Sequence, residues 1–98
     1  MQKNLGAALP STVWEAARAG QTEQVEALVQ QGTLVDARDP EGKTALMLAA
    51  MNGHTATVQR LLALHANPAL VDRDGLNAAQ LAAQRGHARL AQLLEAAR

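Results

Sequence analysis

The sequence contains no cysteine, phenylalanine, tyrosine or isoleucine, and it has one tryptophan, Trp14. Without cysteine there is no disulfide and no thiolate chemistry. The apolar content comes instead from 22 alanines and 15 leucines. Both are strong helix formers, and β-branched residues are few. This composition therefore favours an all-α protein whose helices approach one another closely.

The sequence also lacks an excess of charge and a long hydrophobic run. Nine basic residues balance nine acidic ones. Nucleic-acid binding usually needs a basic stripe, often with stacking aromatic residues, and membrane-surface binding needs a basic amphipathic helix, so we expect neither partner. The apolar patch from Leu5 to Leu9 is shorter than the ~7–15 residues of a signal-peptide core. We therefore expect a soluble, cytoplasmic protein.

A period of 33 residues dominates the sequence. Residues 39–62 align without a gap on residues 72–95, and 10 of the 24 aligned positions are identical. Residues 11–39 follow the same period more faintly, with seven identities in 29 positions when they are aligned on residues 44–72. A fixed period of about 20–50 residues indicates a stack of similar units.

Glycines and capping residues divide each unit into two helices. Gly20, Gly53 and Gly86 end the first helix of each pair, because glycine takes a left-handed turn without steric penalty. Thr12 and Glu15 fit a capping box at the first helix start. We predict helices at about residues 12–19, 22–31, 45–51, 55–64, 78–84 and 88–97. Turn-rich segments at residues 33–42 and 65–75 connect the pairs.

Helices of this length must pack on one another. An isolated helix needs about 12–15 residues to be marginally stable in water, so each predicted helix depends on its neighbours. Polar residues replace apolar ones in the end units: Glu15 aligns with Leu48 and Leu81, and Glu95 aligns with Leu62. Terminal units of a stack need a polar outer face. We therefore expect both ends to be caps and the array to be complete.

The second unit carries Asp39, Gly42, Thr44, Leu48-Ala49-Ala50, Gly53-His54, Val58 and Leu61-Leu62, and much of this pattern returns from Asp72 onward. In these residues the chain resembles the ankyrin repeat family. The resemblance covers about residues 11–97, or 2.5–3 repeats with N- and C-terminal capping units. It implies an all-α solenoid of stacked helix-turn-helix pairs with short hairpin-like loops. We predict a flexible lead-in over residues 1–10 and one domain over residues 11–97, with units at about 11–38, 39–71 and 72–97.

Two helix starts differ from the Thr-Pro-Leu-His motif of the family. The second unit has Met47 in place of the histidine, and the third unit has Gln80. The hydrogen bond between threonine and histidine is therefore missing, and we expect these helix starts to be less rigid. His65 stands where glycine normally ends the second helix, and a non-glycine residue at positive φ carries some strain.

The histidines invite a metal or acid–base interpretation. His54 and His87 recur at one repeat position, so we expect a structural role for both. The zinc ligands that a tetrahedral site needs are not arranged to converge, and residues 72–77 lack the closing glutamate of a calcium loop. No hydroxyl group has a base and an orienting residue beside it. We therefore predict no catalytic residue, no metal and no cofactor.

The resemblance implies a protein-binding surface on the loop tips and on the exposed side of the first helices. Its members by position are Arg18, Arg38, Pro40, Glu41, Lys43, Met51, Asn52, Val71, Arg73, Asp74, Leu76, Gln84 and Arg85. Residue types at these positions differ between units, whereas core positions repeat. That contrast is typical of a recognition surface on a fixed scaffold, and neutral drift at exposed sites produces it as well.

The apolar anchors of this surface are expected to be Met51, Val71 and Leu76. Trp14 lies near the N-terminal cap, where we expect partial burial, and an aromatic at the edge of the binding surface is the alternative.

Three functions remain open. The first is a monomeric, non-catalytic module that binds a partner protein. The second is a targeting or regulatory domain of a larger enzyme or effector, with the chemistry elsewhere. The third is a purely structural unit that associates with itself. An enzyme in its own right is the weakest interpretation, because a thin stack of helix pairs offers only a shallow groove.

Overall fold

The computed structural model describes residues 10–98 of the chain, and in this range it has six α-helices and no named strand. Their bounds are α1 Val13–Arg18, α2 Thr22–Gln30, α3 Ala45–Met51, α4 Thr55–Ala63, α5 Ala78–Gln84 and α6 Ala88–Ala97. The six predicted helices are confirmed, with every bound within one residue. The predicted lead-in lies outside the described residues except for Pro10.

The helices form three consecutive pairs that stack side by side. In each pair the first helix packs on the second, and the first helices α1, α3 and α5 form one row. Beside that row, α2 packs against α4. The particle is elongated, with extents of 44 × 24 × 23 Å. The predicted all-α stack of helix pairs is confirmed.

The middle first helix is the centre of the core. All residues of α3 from Ala45 to Ala50 are buried, so this helix is enclosed on every side. A helix that is apolar all round is stable only when it is enclosed in this way. The end helices differ: Glu15 of α1 and Ala83 of α5 are exposed, whereas the equivalent residues Leu48 and Ala50 are buried.

The two helix starts that depart from the family motif are closed by other side chains. The hydroxyl of Thr44 accepts the backbone N–H of Met47 at 3.3 Å, and the thioether sulfur of Met47 accepts the N–H of Thr44 at 3.5 Å. Asn77 and Gln80 exchange the same two bonds at 2.9 Å each. The hydrogen bond that the missing histidine would make is therefore replaced, because methionine and glutamine take its place in the capping box. The rigidity of these helix starts stays a prediction.

Two histidines link successive units. His54 Nε2 lies 2.9 Å from the carbonyl oxygen of Arg18, and His87 Nε2 lies 3.1 Å from that of Met51. A carbonyl only accepts, so Nε2 carries the proton in both rings. The expected structural role of these histidines is confirmed. His65 has the positive φ on which the expected strain depends, with a value of 75°.

Each linking ring lies over a glycine of the preceding unit. A Cβ placed on Gly20 would lie 2.7 Å from His54 Nδ1, and one on Gly53 would lie 2.7 Å from Cε1 of His87. Both distances are too short for real atoms. Gly86 occupies the same position in the last unit, and no described atom lies within 4 Å of its built Cβ.

These glycines give a matched pair of substitutions. Gly53→Ala and Gly86→Ala both force alanine to positive φ, 71° and 83°, which costs about 1–2 kcal/mol. Only Gly53→Ala also displaces a histidine ring, which adds about 1–3 kcal/mol. We expect urea unfolding, followed by circular dichroism at 222 nm, to show the larger loss for Gly53→Ala. Equal losses would show that the ring contributes no packing.

A second pair tests the core. Leu61 is fully buried, whereas Leu34 is 75% exposed. We expect Leu61→Ala to lower the free energy of unfolding by about 2–5 kcal/mol. Leu34→Ala should change it by less than about 0.5 kcal/mol in the same urea titration. A small loss at Leu61 would contradict the full burial of this side chain.

Candidate binding surface

The predicted surface residues fall into two groups. The first-helix strip lies in the last turn and C-terminal cap of α1, α3 and α5 and comprises Arg18, Met51, Asn52, Gln84 and Arg85, with Ala19 beside them. The hairpin tips comprise Arg38, Pro40, Glu41, Lys43, Val71, Arg73, Asp74 and Leu76. Packing of the first helices in one row brings the strip together. Binding by these residues stays a prediction.

An aspartate shapes each hairpin tip. Asp39 Oδ1 accepts the backbone N–H groups of Glu41 and Lys43 at 2.9 and 2.8 Å. Asp72 Oδ1 accepts those of Asp74 and Leu76 at 2.9 and 3.0 Å. Side-chain bonds to the backbone two and four residues ahead fix a tight turn. Both tips therefore have the same backbone shape and differ in their exposed side chains.

Two of the predicted binding residues hold one hairpin to the next. Lys43 Nζ lies 3.0 Å from Asp72 Oδ2, and the two side chains are only 14% and 1% exposed. Arg38 Nη1 donates to the carbonyl oxygens of Gly42 at 3.0 Å and Val71 at 2.6 Å. Both cations already have acceptors within the chain. Their first role in this structure is to fix the spacing of the hairpins.

The Lys43–Asp72 pair was not predicted from the sequence. Its trace there is a difference at one repeat position, where Leu76 in the third unit aligns with Lys43 in the second. Such a difference does not name the partner carboxylate, because the distance between hairpins is set by packing.

Asp72 is ionised in the folded chain despite its burial. Burial raises the pKa of its carboxyl group, but three favourable interactions outweigh this effect. They are the hydrogen bonds from the backbone of Leu76 and Asp74 and the ammonium group of Lys43. The net pKa of Asp72 lies below its ordinary value. The pair with Lys43 is thus a charged contact at neutral pH.

The three expected apolar anchors differ in exposure. The side chain of Val71 is 43% exposed. Met51 and Leu76 are partly buried and pack against the core. A change at Leu76 therefore alters the stability of the hairpin as well as its surface, and Val71 is the better anchor to test.

Trp14 is partly buried, as expected, and packs against the core. Its indole Nε1 donates to the carbonyl oxygen of Ala37 at 2.9 Å. The ring lines an open hollow of about 200 Å³ at the N-terminal edge of the stack. The indole N–H is therefore satisfied inside the domain, which is the usual arrangement for a tryptophan near a core.

Residues 10–98 contain no group of three or more His, Cys, Asp and Glu side chains placed to hold a metal ion. Not one helix in that range combines the length and apolar character that a bilayer crossing requires.

Residues 13–97 match the family described as ankyrin repeats in three copies. This match includes most of the chain, and it agrees with the stacked helix pairs, the hairpin tips and the glycine–histidine turns. The chain belongs to the ankyrin repeat family, and its repeats indicate a protein-interaction module.

Two curated relatives resemble part of the chain, and both are named mitochondrial disaggregase. The Bos taurus protein is 45% identical over 60 residues, which are 61% of this chain and 9% of that protein. The Homo sapiens protein is 47% identical over 56 residues, which are 57% of this chain and 8% of that protein. The aligned segment is therefore less than a tenth of either relative.

The lowered pKa of Asp72 predicts a pH-dependent contribution to stability. The unfolded carboxyl group has a pKa of about 3.9, so the contribution is fully present well above that pH. It is lost as the pH falls through the lower pKa of the folded state. At pH 7 we expect Asp72→Asn to be less stable than the wild type by about 1–3 kcal/mol. The gap should shrink as the pH falls below about 4.

Urea unfolding at several pH values measures this gap. Asp74→Asn is the matched control, because the side chain of Asp74 is exposed at the same hairpin. Its gap to the wild type should be small at every pH. A gap for Asp72→Asn that is independent of pH would show that the charge does not stabilise the fold.

Proposed function

We propose that this chain is a non-catalytic domain that binds a partner protein through the first-helix strip and the hairpin tips. The observation that carries the proposal is a contrast between two sets of aligned positions. Leu48-Ala49 and Leu81-Ala82 repeat in the core. At the strip, Met51 aligns with Gln84 and Asn52 with Arg85, so each unit presents different chemistry from the same backbone.

The rigidity of the scaffold supports this function. His54, His87 and the Lys43–Asp72 pair connect neighbouring units, and aspartates fix the hairpin tips. A surface that is ordered before binding loses little conformational entropy when the partner docks. The nominated surface has thirteen residues, fewer than the 20–30 residues per side of a standard interface. We therefore expect a modest affinity.

A second candidate is a targeting or regulatory domain of a larger protein whose activity resides elsewhere. The comparison with the relatives favours this second candidate. Their name, disaggregase, describes a whole protein, and less than a tenth of that protein aligns with this chain. The mass of the native gene product separates the two candidates. A product of about 10.3 kDa supports a separate module, and a much larger product supports the domain.

Two further features of the proposal are open to direct measurement. We expect a monomer, and a dimer or larger species in light scattering would favour the self-associating alternative. We expect a cytoplasmic location, and the relatives' names make the mitochondrion the competing compartment. Fractionation of cells that express the native gene product decides between the compartments.

The binding surface is tested with two exposed apolar residues on loops. A partner that the immobilised chain captures is identified, purified and titrated against Val71→Asp and Leu34→Asp. Val71 lies on the hairpin tips, whereas Leu34 is more exposed and lies outside the nominated surface. We expect Val71→Asp to weaken binding at least tenfold, equivalent to about 1.4 kcal/mol, because a carboxylate cannot fill an apolar contact.

Leu34→Asp should keep the affinity within about twofold, and both variants should keep the circular dichroism spectrum of the wild type. An unchanged affinity in Val71→Asp, or an equal loss in both variants, would remove the hairpin tips from the interface.

A further inference from the structure

The first-helix strip has a charge of one sign. Together with Ala19 beside it, the strip holds two arginines and no carboxylate: Arg18, Met51, Asn52, Gln84 and Arg85. All of them are exposed except Met51, which is partly buried. Arg18 lies on α1 and Arg85 caps α5, so the two cations stand at opposite ends of the row and Met51 lies between them.

Both arginines lack an acidic partner within the chain. The ion pairs of residues 10–98 are Lys43–Asp72, Arg60–Glu26 and Arg98–Glu95. Neither Arg18 nor Arg85 takes part in one, and residues 1–9 contain no aspartate or glutamate. A carboxylate from outside could therefore bind either guanidinium group without breaking an internal pair.

The hairpin tips do not share this preference. Lys43 is paired with Asp72 there, and Arg38 is bound to backbone carbonyl oxygens. The remaining cation, Arg73, is accompanied by the exposed acids Glu41 and Asp74. The hairpin tips therefore favour neither sign of charge in a partner. Any preference for an acidic partner comes from the first-helix strip.

The row of helices sets the spacing of the two arginines. Packed helices lie about 8–10 Å apart, so α1 and α5, with α3 between them, are about 16–20 Å apart. An extended chain advances about 3.3 Å per residue and its side chains alternate between two faces, so carboxylates six residues apart span this distance on one face. Guanidinium groups bind carboxylates with two parallel hydrogen bonds, which favours them over amides at these positions.

We propose that the strip recognises an extended acidic segment of the partner, with carboxylates six residues apart and an apolar side chain between them on the same face. The carboxylates bind Arg18 and Arg85, and the apolar side chain lies on the exposed part of Met51. This assignment rests on the proposed function and names the chemistry of its partner.

The test uses a synthetic fluorescent peptide with two glutamates six residues apart, a leucine four residues after the first glutamate, and serines at the other positions. A second peptide replaces the glutamates with glutamine, and a third places both glutamates next to each other at one end. Fluorescence anisotropy measures the affinity of the whole chain for each peptide at low salt. We expect the first peptide to bind at least tenfold more tightly than the glutamine peptide, and more tightly than the third.

Matched double variants locate the charge. Arg18→Gln combined with Arg85→Gln should remove the preference for glutamate. Arg89→Gln combined with Arg98→Gln removes the same charge from the exposed surface of the last pair and should retain it. Equal binding of the glutamate and glutamine peptides would overturn the proposal. Two other results would show only general electrostatic attraction and would also overturn the proposal. One is an equal loss of the glutamate preference in the two double variants, and the other is equal binding of the first and third peptides.

The same variants keep this inference separate from the proposed function. If the purified partner binds the wild type and the Arg18→Gln/Arg85→Gln variant equally but loses affinity for Val71→Asp, the acidic segment is wrong and the binding function stands. If Val71→Asp also has no effect on the partner, the proposed interface fails as a whole.

Discussion

The stability of each helix in residues 10–98 depends on packing against neighbouring helices of its own and adjacent units. α1 has six residues and α3 and α5 have seven, which is too short for a helix that stands alone in water. Burial against neighbouring helices provides the stability that these short helices lack on their own. The clearest case is α3, which is enclosed by α1, α4 and α5. Alanine permits this arrangement because it fills a helix surface without holding the neighbouring backbone away. The fold is therefore a sum of interfaces between adjacent units.

Polar contacts set the geometry of those interfaces. The histidine rings reach back to carbonyl groups of the preceding unit, and Lys43 reaches forward to a carboxylate of the following hairpin. Apolar packing alone permits neighbouring helices to slide, whereas these bonds have fixed partners. The cations used in the hairpins are no longer available for a ligand. The excess of positive charge on the candidate surface therefore lies where the first helices end.

Much of the fold could be predicted because its signals lie within one repeat. Gly20, Gly53 and Gly86 ended helices where expected, and the 33-residue period gave the order of the pairs. The capping roles of Met47 and Gln80 could not be predicted from the motif, since a different side chain reaches the same N–H group. The Lys43–Asp72 pair depends on the distance between hairpins, and that distance is set by packing. For the candidate surface, the sequence predicted its positions, but only the structure showed which of its cations are bound within the chain.

The contact between Lys43 and Asp72 and the ring of His87 over Gly53 share one property: both join the middle unit to residues that come later in the chain. During synthesis, the middle pair leaves the ribosome before the residues that complete it. Until residues 72–98 have emerged, Lys43 lacks the carboxylate of Asp72, and the turn at Gly53 lacks the ring of His87. A ribosome that pauses before this point presents a nascent chain whose central helix still has an open apolar side, and such a chain is the form that a chaperone would recognise.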